Sequence, residues 1–435
     1  MGDYLYTDQK DNSDRVDHPD SAIRLASVVH RFKVPRMTRK VDFAKSFKTV
    51  GSNDKTRKVM IAADEARDKM AEGLATPKLS AERISIDTLR YQPLIHSILL
   101  SCKVQPEQAR LDDRLIFEWK SGIESPKSIS STSYKSEAMM YDLVMTIACQ
   151  GLAHAQQATE FSIGGDFAAA SREYAVAAGI IGTLAEEQLP KWIAKGSNVQ
   201  ESALPLECNP IVAEGLTSLF MANGQQMAVA TLLMKEGEPN SSLVAKLCLG
   251  VAEQLEAFLA SVRRGAPEAL ARFDPEFLTL VTFQTAVHKS LSMYFQARKL
   301  WKEDQKFGVA IAMLKDSVAA LKEQRKGSKD GGMPSVAKGS LQALATDLND
   351  LRTHMQTMLT SWEKDNSSVY FTQVPKSVPA GIQIAEGIQM KKKTEFRLEE
   401  AEPVLLAMPA KRGQHKRSDS DLARELQQRL NSGLE

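Results

Sequence analysis

From about residue 136 to residue 365 the chain carries apolar residues at steps of three and four almost without a break. That period fits only amphipathic helices stacked on one another. Stripes of this kind cover 136–162, 166–195, 210–235, 241–264, 275–303, 305–326 and 339–365. The punctuation falls where the stripes stop. Asp166 precedes FAAASREYAVAAGII, and Asp274-Pro275 reads as an N-cap followed by proline at the first helical position. GEPN at 237–240 and KGSKDGGMPSVAKG at 326–339 separate neighbouring helices. The last helix has Leu341, Leu344, Leu348, Leu351, Met355, Met358 and Trp362 on one face, and its predecessor has Phe307, Ala310, Leu314, Val318 and Leu321. These two faces predict an antiparallel hairpin.

The expected class is therefore mainly α. Aromatic residues are only 6% of the chain while Ala, Leu and Met are abundant, which argues against a large sheet. There is no strict repeat, but GDFAAASREYAVAAGIIGTL has the small-residue and aromatic pattern of a tetratricopeptide-like helix pair. An ordinary helical bundle explains that segment equally well. Strands are expected only in the N-terminal third. HRFKVPRMTRKVDFAKSF offers one, with Pro35 marking a sheet edge, and LIFEWK at 115–120 offers a second, followed by the loop GIESPKSISSTS. Two helices lie between them, 54–73 and 83–102, and Pro93 is expected to kink or break the second.

The ends read differently. Residues 1–28 are an acidic leader, expected to be flexible. After the last helix, NSSVYFTQVPKSVPAGIQIAEG contains Pro375 and Pro379 and predicts an extended strap, pinned by Val369, Tyr370, Phe371 or Val374. Residues 391–435, with KKK at 391–393 and KRGQHKRSDSD at 411–421, are expected to form a basic, loosely ordered tail.

Several function classes drop out. Lys plus Arg exceed Asp plus Glu by only two, which excludes a strongly cationic nucleic-acid binder. No apolar run is long enough to cross a bilayer. The seven histidines and four cysteines have no metal-ligand spacing, and no phosphate loop, nucleophile elbow or dinucleotide fingerprint occurs. The cysteines read as reduced core residues, and Trp119, Trp192, Trp301 and Trp362 as packing anchors. The expectation is a protein without enzymatic activity, cofactor, metal or small-molecule substrate. One charge cluster stands out. Arg31, Lys33, Arg36, Arg39, Lys40, Lys45 and Lys48 face only Asp42 in sequence. Either they blunt an exposed strand edge, or Arg36, Arg39 and Lys40 contact an anionic membrane surface.

Taken in order, KVDFAKSF, LIFEWKSGI, SREYAVAAGIIGTLAEE, LTSLFMANGQQMAVATLLM with SSLVAKLCLGVAEQLEAF, YFQARKLWKEDQKFGVAIAMLKDS and VYFTQVPKSVP resemble the BRO domain family of ALIX and BROX, over residues 29–390. The resemblance implies an elongated, curved helical body with a small N-terminal sheet. It also implies a cytoplasmic adaptor of endosomal sorting, recruited to endosomal membranes. Such an adaptor binds the C-terminal amphipathic helix of an ESCRT-III core subunit of the CHMP-four or Snf-seven class, by helix-in-groove recognition. By the same resemblance the docking patch is Leu243 and Leu247, four apart on one helix, with Arg172 available to an acidic edge of the partner. Family members often carry an aromatic near Ala228 or Val229 and a second basic residue where this chain has Ala168, so the groove at Val229 is expected to be shallower and less charged. The chain resembles the single-domain arrangement, without a V-shaped arm or a terminal prenylation box. Two alternatives stay open. Leu243 and Leu247 are ordinary core leucines in one, and the whole chain is a tetratricopeptide-like scaffold for an unrelated soluble complex in the other.

Overall fold

The computed structural model describes residues 19–47, 54–76, 80–106, 115–125, 133–193, 204–323, 333–337, 339–384 and 386–406. Helices dominate, and the described strands form one three-stranded antiparallel sheet. The chain divides into two compact units, one of residues 1–32, 155–179 and 214–394, the other of 33–154, 180–213 and 395–435.

The second of these units holds the sheet, in the order β1 (Arg36–Met37), β2 (Phe117–Lys120), β3 (Tyr134–Ser136). β1 is an edge strand, as Pro35 predicts, and places Arg36 opposite Lys120 and Met37 opposite Trp119. β3 had no signal in sequence. It is three residues long and is fixed by pairing Trp119 with Tyr134 and Phe117 with Ser136. Alongside lie α2 (Phe43–Ser46), α3 (Asp54–Ala75), α4 (Ala81–Val104) and the first part of α5 (Met139–Ile163). Pro93 does not break α4. The carbonyl it deprives of a helical donor belongs to Leu89, whose side chain is 48% exposed, so the loss falls on the solvated side.

At the centre of this unit the carboxylate of Asp142 is fully enclosed. Arg67 donates to both of its oxygens at 3.1 and 3.0 Å, Tyr91 to Oδ2 at 2.6 Å and Trp119 to Oδ1 at 2.7 Å. A further guanidinium N–H of Arg67 donates to the Arg39 carbonyl at 2.8 Å. The Asp142 charge beside it holds the Arg67 guanidinium above its ordinary range despite burial. The expectation of a loosely ordered tail from residue 391 is corrected over 395–406. Ser97 and Gln105 donate to the carbonyls of Glu402 and Val404, and Val404 N–H donates to Ser101 Oγ at 2.7 Å. Leu406 is buried at 1% exposure. Polar groups on one face of α4 satisfy that backbone, a partnership no local pattern announces. Residues 407–435 lie outside the described residues.

The first unit is built from α1 (Asp20–Ser27), the end of α5, most of α6 (Phe167–Thr183), α8 (Pro210–Leu233), α9 (Ser241–Gly265), α10 (Pro267–Leu270), α11 (Pro275–Lys302), α12 (Phe307–Ala320) and α13 (Ala345–Asp365). The remaining short helix, α7 (Leu189–Ile193), belongs to the other unit. The flexible leader is corrected over residues 19–28. Ala22, Ile23, Leu25 and Ala26 are buried, Arg24 pairs with Asp347 at 2.8 Å, and Gln284 donates to the Leu25 carbonyl at 3.0 Å. The apolar run in DSAIRLASVV is the reason, and residues 1–18 lie outside the described residues. The predicted α12–α13 hairpin is antiparallel, since Lys315 pairs with Glu363 while Ser317 meets Met355 and Arg352 meets the Leu321 carbonyl.

Just after α13 the expected extended strap is corrected over Asn366–Tyr370, which continues as a π-helical turn, and its apolar side chains lie at the surface. Tyr370 stacks on Phe307 with ring centroids 3.6 Å apart, while Phe371 is 74% exposed with a left-handed φ of 51°.

His288 on α11 is fully buried, with Gln226 Nε2 at 3.2 Å from its Nε2, and burial lowers its pKa to about 4. A base held neutral in the folded state binds its proton more readily when unfolded. Its contribution to stability is therefore present above about pH 6.5 and is lost as the pH falls toward 4. In urea melts at pH 7.5 and 4.5, the gap in acid sensitivity between wild type and His288→Gln should be on the order of 2–3 kcal/mol.

Candidate partner-docking face

The residues singled out from sequence fall on three helices of one unit. Arg172 sits on α6, Val229 on α8, and Leu243 and Leu247 on α9. Asn240 caps α9, accepting from the Leu243 N–H at 2.9 Å, and so fixes Leu243 in the first turn. Arg172 is exposed and Leu243 half-buried, as a docking role needs. Leu247 and Val229 are not available at the surface, each at 0% exposure. The expectation of two aliphatic side chains displayed together is corrected. Residues four apart on a helix differ by about 40° around its axis, and the buried stripe of α9 is wide enough to take in Leu247 with Val244, Val251 and Leu255.

A second element occupies this face. Residues 386–394, free of helix, cross α9, α8 and α6 in turn. Ile388 N–H donates to the Lys246 carbonyl at 3.0 Å, and Thr394 N–H to the Ala175 carbonyl at 3.0 Å. Between them Gln225 of α8 acts as a clamp. Its Nε2 donates to the carbonyls of Leu247 at 2.9 Å and Ile388 at 2.7 Å, and its Oε1 accepts from Met390 N–H at 3.0 Å. The Glu253 carboxylate accepts from Gly387 N–H at 3.1 Å.

Backbone meets backbone at two helical glycines. A Cβ on Gly250 would lie 2.3 Å from the Ile388 carbonyl oxygen, and one on Gly179 would lie 1.8 Å from that of Thr394. Any other residue would push the segment off the helices. The correction to the loose tail thus begins at residue 391. Lys391 is half-buried, and its ammonium pKa is lowered first by burial and then by nearby Arg172.

The candidate membrane residues belong to the other unit. Arg36, Arg39 and Lys40 are all exposed. Lys40, however, is tied to Asp68 at 2.9 Å. Among the described residues no cluster of His, Cys, Asp and Glu could hold a metal ion, and no helix is long and apolar enough to cross a membrane.

The model of the BRO1-like domain matches residues 35–419, most of the chain. The chain belongs to the BRO1-like domain family. Solved structures agree on the fold. ALIX in complex with the SIVmac239 PYKEVTEDL late domain superposes with a TM-score of 0.67 at 15% identity, covering 86% of this chain and 50% of that one. This BRO1-like chain thus spans half the length of that ALIX chain. A Bro1 domain described as a structural basis for endosomal targeting gives 0.65 at 16% identity, covering 93% and 96%. The ALIX BRO1 domain in complex with CHMP4C gives 0.63 at 16% identity, covering 86% and 98%. No curated protein matches the sequence.

Within this BRO1-like domain, sequence reasoning found the helices of the candidate docking face but not the segment lying on them. The available signal was Gly179 and Gly250, two glycines inside otherwise strongly helical text.

Proposed function

We propose that this BRO1-like protein is a non-enzymatic adaptor that binds the C-terminal amphipathic helix of an ESCRT-III core subunit of the CHMP-four class. The family match over residues 35–419 carries the reading, and the solved complex of the ALIX BRO1 domain with CHMP4C supports it. The docking face is α6 and α9, with half-buried Leu243 as an aliphatic contact and exposed Arg172 as the partner of an acidic side chain. Leu247 and Val229 support that face from beneath. The adaptor works in the cytoplasm and is drawn to endosomal membranes by its partner.

Two measurements test this. In fluorescence anisotropy with a labelled CHMP4C C-terminal helix, Leu243→Asp should weaken binding by roughly tenfold or more, because the complex would cover a carboxylate without a counter-ion. Arg172→Glu should weaken it further at low salt than at high salt. Unchanged binding by both variants would remove this face from the site. The basic edge gives a separate expectation. Neutralising Arg36 and Arg39 together should reduce binding to anionic liposomes by about 2 kcal/mol, and Lys40→Gln should weaken it further because it leaves the Asp68 charge uncompensated. Loss of binding only with Lys40→Gln would contradict that assignment.

A further inference from the structure

We infer that the exposed apolar stripe of α4 is a docking surface for this chain's own C-terminal segment, residues 421–430, which lies on it as an amphipathic helix. The inference is independent of the adaptor reading and concerns residues beyond 419, where the family match ends.

The starting point is that α4 is apolar on two sides. Ile84, Tyr91, Ile95 and Ile98 are buried against the body of the unit. On another side Ile86, Leu89, Pro93, His96 and Leu100 follow at steps of three and four and so share a face. Ile86 and Leu89 are 37% and 48% exposed, among the few large apolar side chains left in solvent. A helix with apolar residues on both sides is expected to be covered on both. One end of this second stripe already is, and by the chain's own tail. His96 Nδ1 lies 3.3 Å from the Glu399 carbonyl oxygen, and Ser97 beside it donates to the Glu402 carbonyl. The other end, at Ile86 and Leu89, stays in solvent.

Three features of the chain that follows fit that end. First, it starts close enough. Leu406 N–H donates to Gln105 Oε1 at 2.9 Å, so the described tail finishes at the C-terminal end of α4. From Gln105 back to Leu89 is about 24 Å along a helix. Residues 407–420 can span roughly 45 Å when extended. Second, Leu422, Leu426 and Leu430 fall at steps of four, which gives a helix over 421–430 one apolar face. Third, the charges match. A segment returning from Gln105 runs antiparallel to α4. That direction brings Asp421 and Glu425 alongside exposed Arg90, and Arg429 toward exposed Glu82. The Arg90 guanidinium reaches Asp87 through one nitrogen, and its fork has further N–H groups for a second acceptor.

The test is limited trypsin digestion of the full chain, with mass spectrometry of the cut after Arg424 and circular dichroism melts in parallel. A docked segment is cut only through its undocked fraction. Ile86→Gln combined with Leu89→Gln should melt like wild type and speed that cut by roughly tenfold or more. Leu422→Gln combined with Leu426→Gln should give the same acceleration without any change to α4, and so decides the matter even if the α4 variant folds poorly. Equal cutting rates in wild type and the tail variant would overturn the inference. Protection of wild type that fades on dilution would also overturn it, since the segment would then sit on a second copy.

Discussion

Replacing Asp142 with alanine should destabilise the protein by about 3–5 kcal/mol in urea melts. The carboxylate is fully buried and accepts from Arg67, Tyr91 and Trp119. Removing it strands a guanidinium that is itself 1% exposed, along with a phenol and an indole N–H that have no solvent to turn to. A conservative change at the same centre sharpens the test. Tyr91→Phe leaves the ion pair intact and removes one donor, so it should cost about 1–2 kcal/mol. Equal losses in the two variants would mean that the charge is not what Asp142 contributes.

The second large effect reverses the order of damage that a surface patch would give. Leu247→Asp should unfold or severely weaken the protein, by about 3–5 kcal/mol, before any partner is added, because the new carboxylate has neither solvent nor a counter-ion at 0% exposure. Leu243→Asp, one turn earlier and half-buried, should melt close to wild type and register its effect in partner binding. Thermal melts of the two variants side by side decide the matter. Stability of Leu247→Asp equal to wild type would put that side chain back at the surface.

The contrast between these leucines also explains what the sequence could and could not disclose. Helical periodicity located α9 to within a residue at its ends, from a predicted 241–264 to an observed Ser241–Gly265. Periodicity depends on neighbours a few residues apart, so it is legible locally. Whether Leu247 is covered depends on what packs against α9, which is decided by residues far away in sequence, those of α11 among them. The same reasoning applies to β3. Tyr134–Ser136 has no strand character of its own and exists because β2 offers it an edge. Pro93 misled in the opposite direction: a local rule predicted a break that an exposed turn of α4 absorbs. The tail reading failed over 391–406 for a related reason. Its polar composition resembles that of a free segment, but the backbone is taken up by Ala175, Ser97, Ser101 and Gln105 of distant helices.

The family resemblance, by contrast, needed no long-range packing. Six short segments in order pointed to the BRO domain, and the family match over 35–419 and the fold bear that out. Resemblance transfers positions well and exposure poorly. Arg172 kept its surface place and Leu247 did not, because Leu247 falls within the buried stripe of α9.

The adaptor reading is tested most directly by one titration: the isolated C-terminal helix of CHMP4C, labelled at one end, against the full chain at physiological salt. The account predicts saturable one-to-one binding that weakens as salt is raised, since Arg172 is proposed to meet an acidic side chain of the helix. An anisotropy trace that stays flat to the highest protein concentration, with the chain folded by circular dichroism, would contradict it.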